Sequence, residues 1–559
     1  MPGLAQPRFA GTRLDARTVR AYVDSGAWAP RPLGGYLRDA IAAAPDRLAA
    51  VTREEHGRTA LTYHELGGLV DRVRTGLARL GVGAGDVVSV MLPNTHEFAA
   101  LIWAIWELGA VYSGVSPSYG RREASFMLGR TKAKVLVVPD RYHGRHLAAL
   151  AGELRGEADE LRTVIVVGDA PEEPGWLSFD RLTSAPTDPA TSEPDPSSLA
   201  HLGFTSGTTG EPKAVMNTHQ TLDAVLGRWV SHVGRESLGD PVVNLVCSPV
   251  AHHTGFLWGV LLATYTAGTA VYQDRWDPAA AARVIREEEV TTMVAAPTFL
   301  QDLTRAPDIG PEGLPSLRLV AIPGAPIPRP LVPAARERLG CFVCPSWGMT
   351  EYGIGISARP GLPTDRVDAA DGVPVGDCRV RVVDPVTRAP LPPGETGALE
   401  ISGPGLFLGY LDRPDVTAEE IVDGWFRTGD LAAVAEDGYV TLQGRTKDII
   451  IRGGLNIPVV AVENLLHRHP DVLDAAVVGT PDPRLGERAC AVLVVAEGAA
   501  PSLRDVTDFL LAEGLSTHFL PERVELVDAL PKTMSGKIRK VELRQRLSAP
   551  AVPDRMTDG

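Results

Sequence analysis

Short apolar runs alternate with longer amphipathic stretches along most of the chain. The run VVSVMLPN at 87–94 is followed by EFAALIWAIWELGAV at 97–111, and further apolar runs are VLVVPD, TVIVVGD, TTMVAAP and LRLVAIPG. Runs of this length are typical of strands buried on both faces, and the stretches between them are long enough for helices. The pattern therefore predicts an α/β fold, in which helices cover buried sheets.

The pattern changes at about residue 378, where short strands and turn signals replace the longer units. Residues 436–438, with the sequence EDG, lie between two alternating runs and predict a β-hairpin. We therefore expect a β-rich subdomain at the end of a large N-terminal domain. The proline-rich stretch 169–198 is expected to be an extended surface excursion without a regular element, because proline donates no backbone hydrogen bond.

The last part of the chain has the pattern of a separate α+β unit. It combines predicted helices at 459–468 and 503–513 with strand-like runs. We place the boundary after residue 446, so that a large domain spans 1–446 and a small C-terminal domain spans 447–559. At 559 residues the chain is long enough for two domains that each have a core.

Composition and charge exclude several classes of protein. The 55 basic and 69 acidic residues give a net charge of −14, which argues against a nucleic-acid partner or an anionic membrane surface. The sequence lacks an apolar run of about 18 residues and the apolar core of a signal peptide, so we expect a cytoplasmic protein without an integral membrane segment. Cys341 and Cys344 form a CxxC without a second pair or a histidine nearby, which favours a structural role.

The segment FTSGTTGEPK at 204–213 has the composition of a loop that binds phosphate. Its glycines let the backbone approach a ligand, and its hydroxyl groups and lysine supply donors and positive charge. It is not a Walker motif, because Glu211 and Pro212 separate Gly210 from Lys213. Taken alone, the segment could equally be a polar surface turn.

Four more segments of the same chemical character follow in order: WGMTE at 347–351, GWFRTGDLA at 424–432, GRTKDIIIRGG at 444–454 and PKTMSGKIRK at 531–540. With FTSGTTGEPK they resemble the motifs of the AMP-forming adenylating (ANL) superfamily. AHHTGFLWG at 251–259 and RGGLNIPVV at 452–460 are most similar to acyl-CoA synthetases of the cyclohexanecarboxylate and medium-chain acyl-CoA ligase group. The resemblance implies a large adenylate-forming domain and a small, mobile domain that carries a catalytic lysine.

The resemblance also implies a nucleotide site for ATP and Mg²⁺. The residues expected at the phosphates are Thr205, Ser206, Gly207, Thr208, Thr209, Gly210 and Lys213. Those expected around adenine and the α-phosphate are Gly324, Ala325, Pro326, Trp347, Gly348, Met349 and Thr350. Asp430 and Arg445 would bind the ribose side, and Glu351 would hold Mg²⁺ with its hard carboxylate oxygen.

Three further positions complete the site that the resemblance implies. Lys537, next to the turn formed by Ser535 and Gly536, would bridge the attacking carboxylate and the α-phosphate. Lys447 occupies the hinge about which the small domain would rotate between two half-reactions. His252 would gate the path of the carboxylate, so the catalytic set is Lys537, Thr350, His252 and Lys213. The apolar wall of the acyl pocket would consist of Trp229, Phe256, Trp258 and Met349, which suits an aromatic, alicyclic or medium-chain acid.

The implied function is an ATP-dependent, AMP-forming ligase that adenylates a carboxylic acid, releases pyrophosphate and transfers the acyl group to a thiol, with CoA as the expected acceptor. Leu455 and Ala461 replace acidic residues of the nearest ligases, so a carrier-protein thiol stays open. Another alternative, in secondary metabolism, is activation of nitrite for transfer to an amine. A silent nucleotide-binding protein is disfavoured by the intact motif residues. The oligomeric state is open, with a homo-oligomer among the alternatives.

Overall fold

The computed structural model of the protein describes residues 16–54, 57–184, 186–188, 193–205, 212–452, 455–533 and 536–548. The predicted α/β fold is confirmed: helices cover two large sheets, a β-rich part follows, and a small α+β part ends the described chain. Within these residues, no helix is both long enough and apolar enough to cross a bilayer.

The α/β part runs to residue 374. Its strands are β1 Leu48–Arg53, β2 Arg58–Thr62, β3 Val87–Val90, β4 Val111–Gly114, β5 Val135–Pro139, β6 Arg141–Tyr142, β7 Arg145–His146, β8 Thr163–Val167, β9 Trp176–Ser178, β10 Leu199–Thr205, β11 Lys213–Thr218, β12 Val243–Val246, β13 Thr269–Gln273, β14 Thr292–Val294, β15 Leu319–Ile322, β16 Phe342–Met349, β17 Gly353–Ser357 and β18 Val373–Pro374. Its helices are α1 Ala16–Asp24, α2 Gly34–Ala43, α3 Tyr63–Arg79, α4 His96–Glu107, α5 Arg121–Thr131, α6 Leu147–Glu157, α7 Phe179–Thr183, α8 His219–Val233, α9 His253–Gly255, α10 Leu262–Tyr265, α11 Pro278–Glu287, α12 Pro297–Thr304, α13 Leu331–Leu339 and α14 Thr364–Ala369. Between α9 and α10 the chain stays helical, with π-helical hydrogen bonding over Phe256–Leu261.

The remaining elements form the β-rich and C-terminal parts. The β-rich part contains β19 Arg379–Val383, β20 Gly397–Ser402, β21 Gly409–Tyr410, α15 Pro414–Glu420, β22 Ile421–Val422, β23 Trp425–Val434 and β24 Val440–Arg445. The C-terminal part contains β25 Ile450–Arg452, β26 Leu455–Ile457, α16 Val459–Leu466, β27 Val472–Asp482, β28 Gly486–Val495, α17 Leu503–Ala512, β29 Arg523–Leu526 and α18 Lys540–Ser548. Short 3-10 turns span Arg235–Leu238, Thr446–Asp448 and Thr517–Phe519.

Both large sheets have a parallel centre; the first has antiparallel strands at both edges and the second has them at one edge. One has the strand order β18-β17-β16-β15-β14-β12-β13-β1-β2, with parallel pairing from β16 to β1. The other has the order β21-β11-β10-β4-β3-β5-β8-β9, with parallel pairing from β10 to β9. The carboxyl ends of neighbouring parallel strands lie at one edge of each sheet, where open α/β folds bind ligands.

Helix α4 lies between the two large sheets. It packs against β1 of one sheet and β4 of the other, and every residue from Phe98 to Trp106 is buried. A helix that is apolar all round is stable only when both of its sides are covered, which explains the unbroken apolar sequence of this stretch. The strand and helix predicted from 87–94 and 97–111 are thus confirmed as β3 and α4.

The prediction that 169–198 has no regular element was wrong. This stretch contains β9 and α7. Its prolines flank the segment 175–184. That segment contains no proline and can therefore form a strand and a short helix. The Ser178 hydroxyl accepts a hydrogen bond from the Arg181 N–H at 3.2 Å and caps α7, and Leu182 is buried against Gly76 of α3.

The later sequence predictions agree with the structure to within a turn. The predicted hairpin at 436–438 connects β23 and β24, and Gly438 adopts the positive φ of 83° that such a turn requires. Helices α16 and α17 correspond to the predicted helices at 459–468 and 503–513. Apolar side chains from 450 to 543 pack with one another in clusters of their own. A domain boundary after residue 446 stays a prediction.

Candidate active site

The candidate site lies where the two large sheets meet at the carboxyl ends of their strands. Strand β10 ends at Thr205, and β16 ends immediately before Thr350. Gly203 of β10 is so close to β16 that an added Cβ would lie 2.7 Å from Thr350 Cγ2. The Asn217 side-chain N–H donates to the Thr350 carbonyl at 3.4 Å. The site is therefore built from both sheets.

The two ends of the predicted phosphate loop are paired. Thr205 and Lys213 face each other across β10 and β11, so the loop between them connects an antiparallel hairpin. The predicted phosphate residues within the loop, Ser206, Gly207, Thr208, Thr209 and Gly210, lie outside the described residues. Lys213 Nζ is 3.2 Å from Glu420 Oε1 and 4.5 Å from the centroid of the Tyr410 ring. The lysine thus points to the side of the cleft formed by β21 and α15.

Glu351, the predicted Mg²⁺ ligand, is a buried carboxylate. Only 5% of the residue is exposed, and Oε1 accepts a hydrogen bond from the Tyr410 hydroxyl at 3.0 Å. Burial raises the pKa of Glu351, and the Tyr410 hydroxyl and the more distant cations Arg445 and Lys213 oppose this rise. A nearby cation stabilises the ionised form of a carboxylate that is buried in this way.

The chemistry of the donor set fits a magnesium ion that is shared with a ligand. Throughout the described parts of the chain, no group of three or more His, Cys, Asp and Glu side chains could form a protein metal site. Mg²⁺ is usually held by one or two carboxylates together with phosphate oxygens and water rather than by a closed protein cage. Glu351 is a carboxylate of the required kind.

Asp430 is held by two donors at the predicted ribose position. The Trp347 indole N–H donates to Oδ2 at 3.0 Å, and the Arg445 Nε–H donates to Oδ1 at 2.8 Å. Asp430 and Arg445 face each other across β23 and β24, which fixes their pairing through the sheet register. The carboxylate raises the pKa of Arg445 further above its usual range. Asp430 is 6% exposed, so it is fixed and largely shielded from water.

The segment 347–351 has a backbone that only glycine allows at its second position. The register between β16 and β17 shifts between Trp347 and Gly348, and an added Cβ on Gly348 would lie 2.3 Å from the Gly353 carbonyl oxygen. Met349 and Thr350 are half-buried. At this bulge Trp347 hydrogen-bonds to Asp430, a contact that the position expected for Trp347 around adenine did not anticipate.

The loop predicted to line adenine follows β15. Gly324 has a φ of 96°, and an added Cβ there would meet no described atom within 4 Å. Ala325 is half-buried and Pro326 is exposed. The loop therefore borders open space at the carboxyl end of a parallel strand, next to the strand that carries Trp347.

Lys537 lies on a small hairpin of the C-terminal part. Its carbonyl accepts from the Thr533 N–H at 2.8 Å, and its own N–H donates to Thr533 Oγ1 at 3.1 Å. Met534 and Ser535 lie outside the described residues. Gly536 has a φ of 81° and lies directly against Thr298 of α12.

The electrostatic environment of Lys537 connects it to the ribose residues. Burial lowers the pKa of the Lys537 ammonium, and the positive charge of Arg445 lowers it further. The carboxylates of Asp430, Asp448 and Glu351 act in the opposite direction. The structure thus brings the predicted catalytic lysine to the same cleft as Arg445, Asp430 and Glu351, although these four residues come from four separate segments of sequence.

The predicted hinge, Lys447, is the central residue of the 3-10 turn Thr446–Asp448. Its neighbour Asp448 accepts a hydrogen bond from Arg544 at 2.7 Å. Gly453 and Gly454, the last two residues of the motif at 444–454, lie outside the described residues. The Leu473 carbonyl receives hydrogen bonds from the side chains of Gln301 and Arg305, each at 3.0 Å. These two bonds join the C-terminal part to α12 and the residue after it.

His252 lies at the start of the helical stretch that ends at residue 265. It is half-buried, burial lowers the pKa of its imidazole, and its ring is edge-on to Tyr119 with the centroids 6.4 Å apart. The next residue, His253, contacts Phe256, with ring centroids 5.2 Å apart. In the predicted apolar wall, Trp229, Phe256 and Trp258 are buried and Met349 is half-buried, and the Trp229 and Trp258 rings contact each other with centroids 5.1 Å apart.

Sequence reasoning missed Tyr410, Glu420 and His201. Tyr410 hydrogen-bonds to Glu351 and lies under Lys213, and Glu420 pairs with Lys213. Neither has a local signal, because their partners are far away along the chain. His201 does have one, since a lone polar residue interrupts the apolar run of β10 just before the phosphate loop.

Comparison with known proteins assigns the family. The model of the AMP-binding enzyme family matches residues 37–411, and that of the AMP-binding enzyme C-terminal domain matches 461–537. The medium-chain fatty-acid–CoA ligase of Escherichia coli (strain K12) is 31% identical over 528 residues, which are 94% of this chain and 92% of that protein. The 2,3-dihydroxybenzoate-AMP ligase of Bacillus subtilis (strain 168) is 32% identical over 538 residues, which are 95% of this chain and 96% of that protein.

A solved structure supports the same assignment. The anthranilate CoA ligase AuaEII, in complex with anthranoyl-AMP, superposes with a TM-score of 0.84 at 25% identity, covering 92% of this chain and 97% of that chain. The family expected from the five motifs is thus confirmed. The chain belongs to the AMP-binding enzyme family and is an ANL enzyme of the acyl-CoA synthetase type.

Proposed function

We propose that the protein is an ATP-dependent, AMP-forming ligase that joins a carboxylic acid to CoA. The observation that carries this proposal is the convergence of Lys537, Arg445 and Asp430 with the buried Glu351 in one cleft. Such a cluster supplies cations and fixed acceptors where a nucleotide and a carboxylate must react.

In the first half-reaction, a carboxylate oxygen of the acid attacks the α-phosphorus of ATP. The bond between that phosphorus and the oxygen that leads to the β-phosphate breaks, and pyrophosphate leaves with the electron pair. Lys537 would stabilise the negative charge shared by the carboxylate and the α-phosphate, and Thr350 would donate to the same phosphate. Lys213, together with the loop that begins at Thr205, would hold the leaving pyrophosphate.

In the second half-reaction, the sulfur of CoA attacks the acyl carbon, the bond between that carbon and the phosphate oxygen breaks, AMP leaves with the electron pair, and the thiol proton is released to water. The two steps act on the same acyl group, but different reactants must reach it. We therefore propose that the C-terminal domain, from residue 447 onwards, turns about Lys447 between the two steps. Asp430 would keep the ribose in place by accepting hydrogen bonds from its hydroxyls, with Arg445 and Trp347 holding the carboxylate.

Several finer assignments belong to the same proposal. Mg²⁺, bound by Glu351 and the phosphates, would neutralise the charge of the triphosphate. CoA is favoured over a carrier-protein thiol because two of the relatives named above are CoA ligases. The nitrite alternative is not favoured, because the relatives named above are ligases of carboxylic acids. A cytoplasmic location and a homo-oligomeric state stay predictions.

The test is product analysis of purified protein with ATP, Mg²⁺, CoA and a panel of medium-chain, alicyclic and aromatic acids. We expect AMP, pyrophosphate and an acyl-CoA, and we expect Lys537→Ala to lower acid-dependent pyrophosphate exchange by about 100-fold or more while ATP still binds. Lys134→Ala removes a lysine that binds Gly81 and Asp86 instead and serves as the control. Formation of ADP and orthophosphate would contradict the proposal.

A further inference from the structure

Two histidines, His201 and His253, have buried ring nitrogens without a protein partner among the described residues. All four nitrogens are inaccessible to solvent, and no group in the described residues hydrogen-bonds to any of them. His201 is 0% exposed. Buried polar atoms almost always have a hydrogen-bond partner, because losing water without replacement is costly. Two neighbouring side chains that both depart from this rule require a reason.

The two imidazoles are neighbours, with ring centroids 5.7 Å apart. Phe256 contacts both, at 4.3 Å from His201 and 5.2 Å from His253. Tyr112 stacks on His201 at 5.3 Å, with its hydroxyl donating to the Val250 carbonyl at 3.1 Å. The four rings therefore form one cluster.

This cluster is continuous with the residues that would carry out the chemistry. An added Cβ on Gly203 would lie 2.6 Å from His201 Cε1 and 2.7 Å from Thr350 Cγ2, so a single glycine separates His201 from Thr350. His253 directly follows His252, the predicted gate of the carboxylate path. With Thr350 at the α-phosphate and His252 at the carboxylate path, as proposed, the histidine pair would lie on the acyl side.

The histidines are held in their neutral form. Burial lowers the pKa of His253 to about 3, and it lowers the pKa of His201 well below its usual value, with a further contribution from His253. A neutral imidazole has one N–H donor and one acceptor nitrogen. Together the pair therefore offers two donors and two acceptors without a charge.

We propose that His201 and His253 form the polar end of the acyl pocket and select an aromatic acid that carries a hydroxyl or amino substituent. The inference rests on the proposed ligase function and narrows its substrate class. The rings of Tyr112 and Phe256 would pack against the flat part of the acid, and the substituent would exchange hydrogen bonds with the imidazoles. An unsubstituted acid or a fatty acid would leave the nitrogens without a partner, which is the means by which such sites discriminate.

The test is acid-dependent pyrophosphate exchange with benzoate, its hydroxy and amino derivatives, and octanoate. For the wild type we expect at least one substituted benzoate to exceed benzoate and octanoate by about tenfold or more in kcat/KM. His253→Leu and His201→Leu should each lower that preference by about tenfold, through loss of one hydrogen-bonding partner, while the KM for ATP stays unchanged. His201→Asn and His253→Asn keep hydrogen-bonding capacity and should retain more of the preference.

A control variant is His219→Gln. His219 is as buried as His201; its Nδ1 accepts a hydrogen bond from the Leu33 N–H at 3.4 Å, its Nε2 has no partner among the described residues, and its ring packs on Trp106. It should leave the preference unchanged.

Three results would overturn the inference. The first is a wild type that uses benzoate or octanoate as well as every substituted benzoate. The second concerns a leucine variant whose circular dichroism shows that it is folded. If it lowers exchange equally for substituted and unsubstituted acids, or leaves the preference intact, the nitrogens do not bind the substituent and instead stabilise the fold or bind ordered water. The third is a wild type for which no acid of the panel supports pyrophosphate exchange. That result would overturn the proposed ligase function as well, whereas the first two leave that function standing.

Discussion

At the scale of single residues, the site depends on charges that are held before any ligand arrives. Asp430 accepts from Trp347 and Arg445, so its carboxylate cannot rotate freely, yet a carboxylate has further lone pairs for two ribose hydroxyls. Lys213 is held by Glu420 and the face of Tyr410. Fixed donors and acceptors reduce the reorganisation that the reaction would otherwise require.

The lowered pKa of Lys537 predicts an alkaline limit to adenylation. Burial and Arg445 favour loss of the proton, and the proposed role needs the charged ammonium. Activity should therefore be complete below the lowered pKa and decline as the pH rises through it, earlier than for an ordinary lysine with a pKa of about 10.4. The measurement is kcat for pyrophosphate exchange across the alkaline range.

The matched variant for this prediction is Lys537→Arg. A guanidinium stays charged over the whole range, so whatever activity the variant retains should lose the alkaline decline. The same decline in both proteins would mean that another group titrates. Activity that rises with pH in the wild type would contradict the proposed role of the ammonium.

At the scale of elements, strand ends and tight turns position the functional side chains. The register of β23 and β24 places Arg445 opposite Asp430, and the bulge at Gly348 turns Trp347 towards the same carboxylate. The hairpin that carries Lys537 depends on Gly536, whose positive φ closes the turn and whose lack of a side chain lets it approach Thr298. Only glycine permits both the positive φ and the close approach to Thr298 at this position.

Gly536→Ala should impair adenylation through the hairpin. An added Cβ would lie 2.0 Å from Thr298 Oγ1, and alanine at a φ of 81° costs about 1 kcal/mol or more. Displacing the hairpin moves Lys537, and we expect pyrophosphate exchange to fall by about tenfold or more. Stopped-flow or exchange assays at saturating ATP and acid would measure this.

Gly514→Ala is the control for backbone strain. Gly514 has a similar φ of 87°, but an added Cβ would meet no described atom within 4 Å. Its substitution should cost comparable stability and leave exchange near the wild-type rate. If both variants lost activity equally, strain within the C-terminal part, rather than contact with Thr298, would be the cause.

At the scale of the whole molecule, the C-terminal part is held against the large domain with Lys537 inside the cleft. Hydrogen bonds from Gln301 and Arg305 to the Leu473 carbonyl, and from the Arg329 N–H to Asn464 at 3.3 Å, cross between the two. Polar contacts of this kind are typical of surfaces between domains that move relative to each other. This orientation suits the first half-reaction, because it brings the lysine to the ribose residues.

Lys447→Pro should separate the two half-reactions. Proline fixes φ and restricts the preceding residue, so rotation about this position becomes harder, while the orientation already present can still adenylate. We expect acyl-CoA formation to fall by about tenfold more than pyrophosphate exchange. Paired assays on one preparation give this ratio directly.

Lys447→Ala removes the same side chain without restricting the backbone. It should retain clearly more of the transfer step than the proline variant. Equal losses of transfer in both variants would assign the effect to the side chain, and equal losses of both half-reactions in Lys447→Pro would argue against a hinge at this position.

The sequence by itself determined the α/β class, the β-rich part, the elements β3, α4, α16 and α17, and the family. These follow from local periodicity and from motifs whose residues are close along the chain. It was wrong about 169–198, because the proline content of the whole stretch concealed the proline-free segment that forms β9 and α7. Only the tertiary structure decided the partners of Lys213 and Asp430 and the cluster of His201 with His253. Contacts between residues that are distant along the chain depend on how the sheets meet, and no local pattern specifies that geometry.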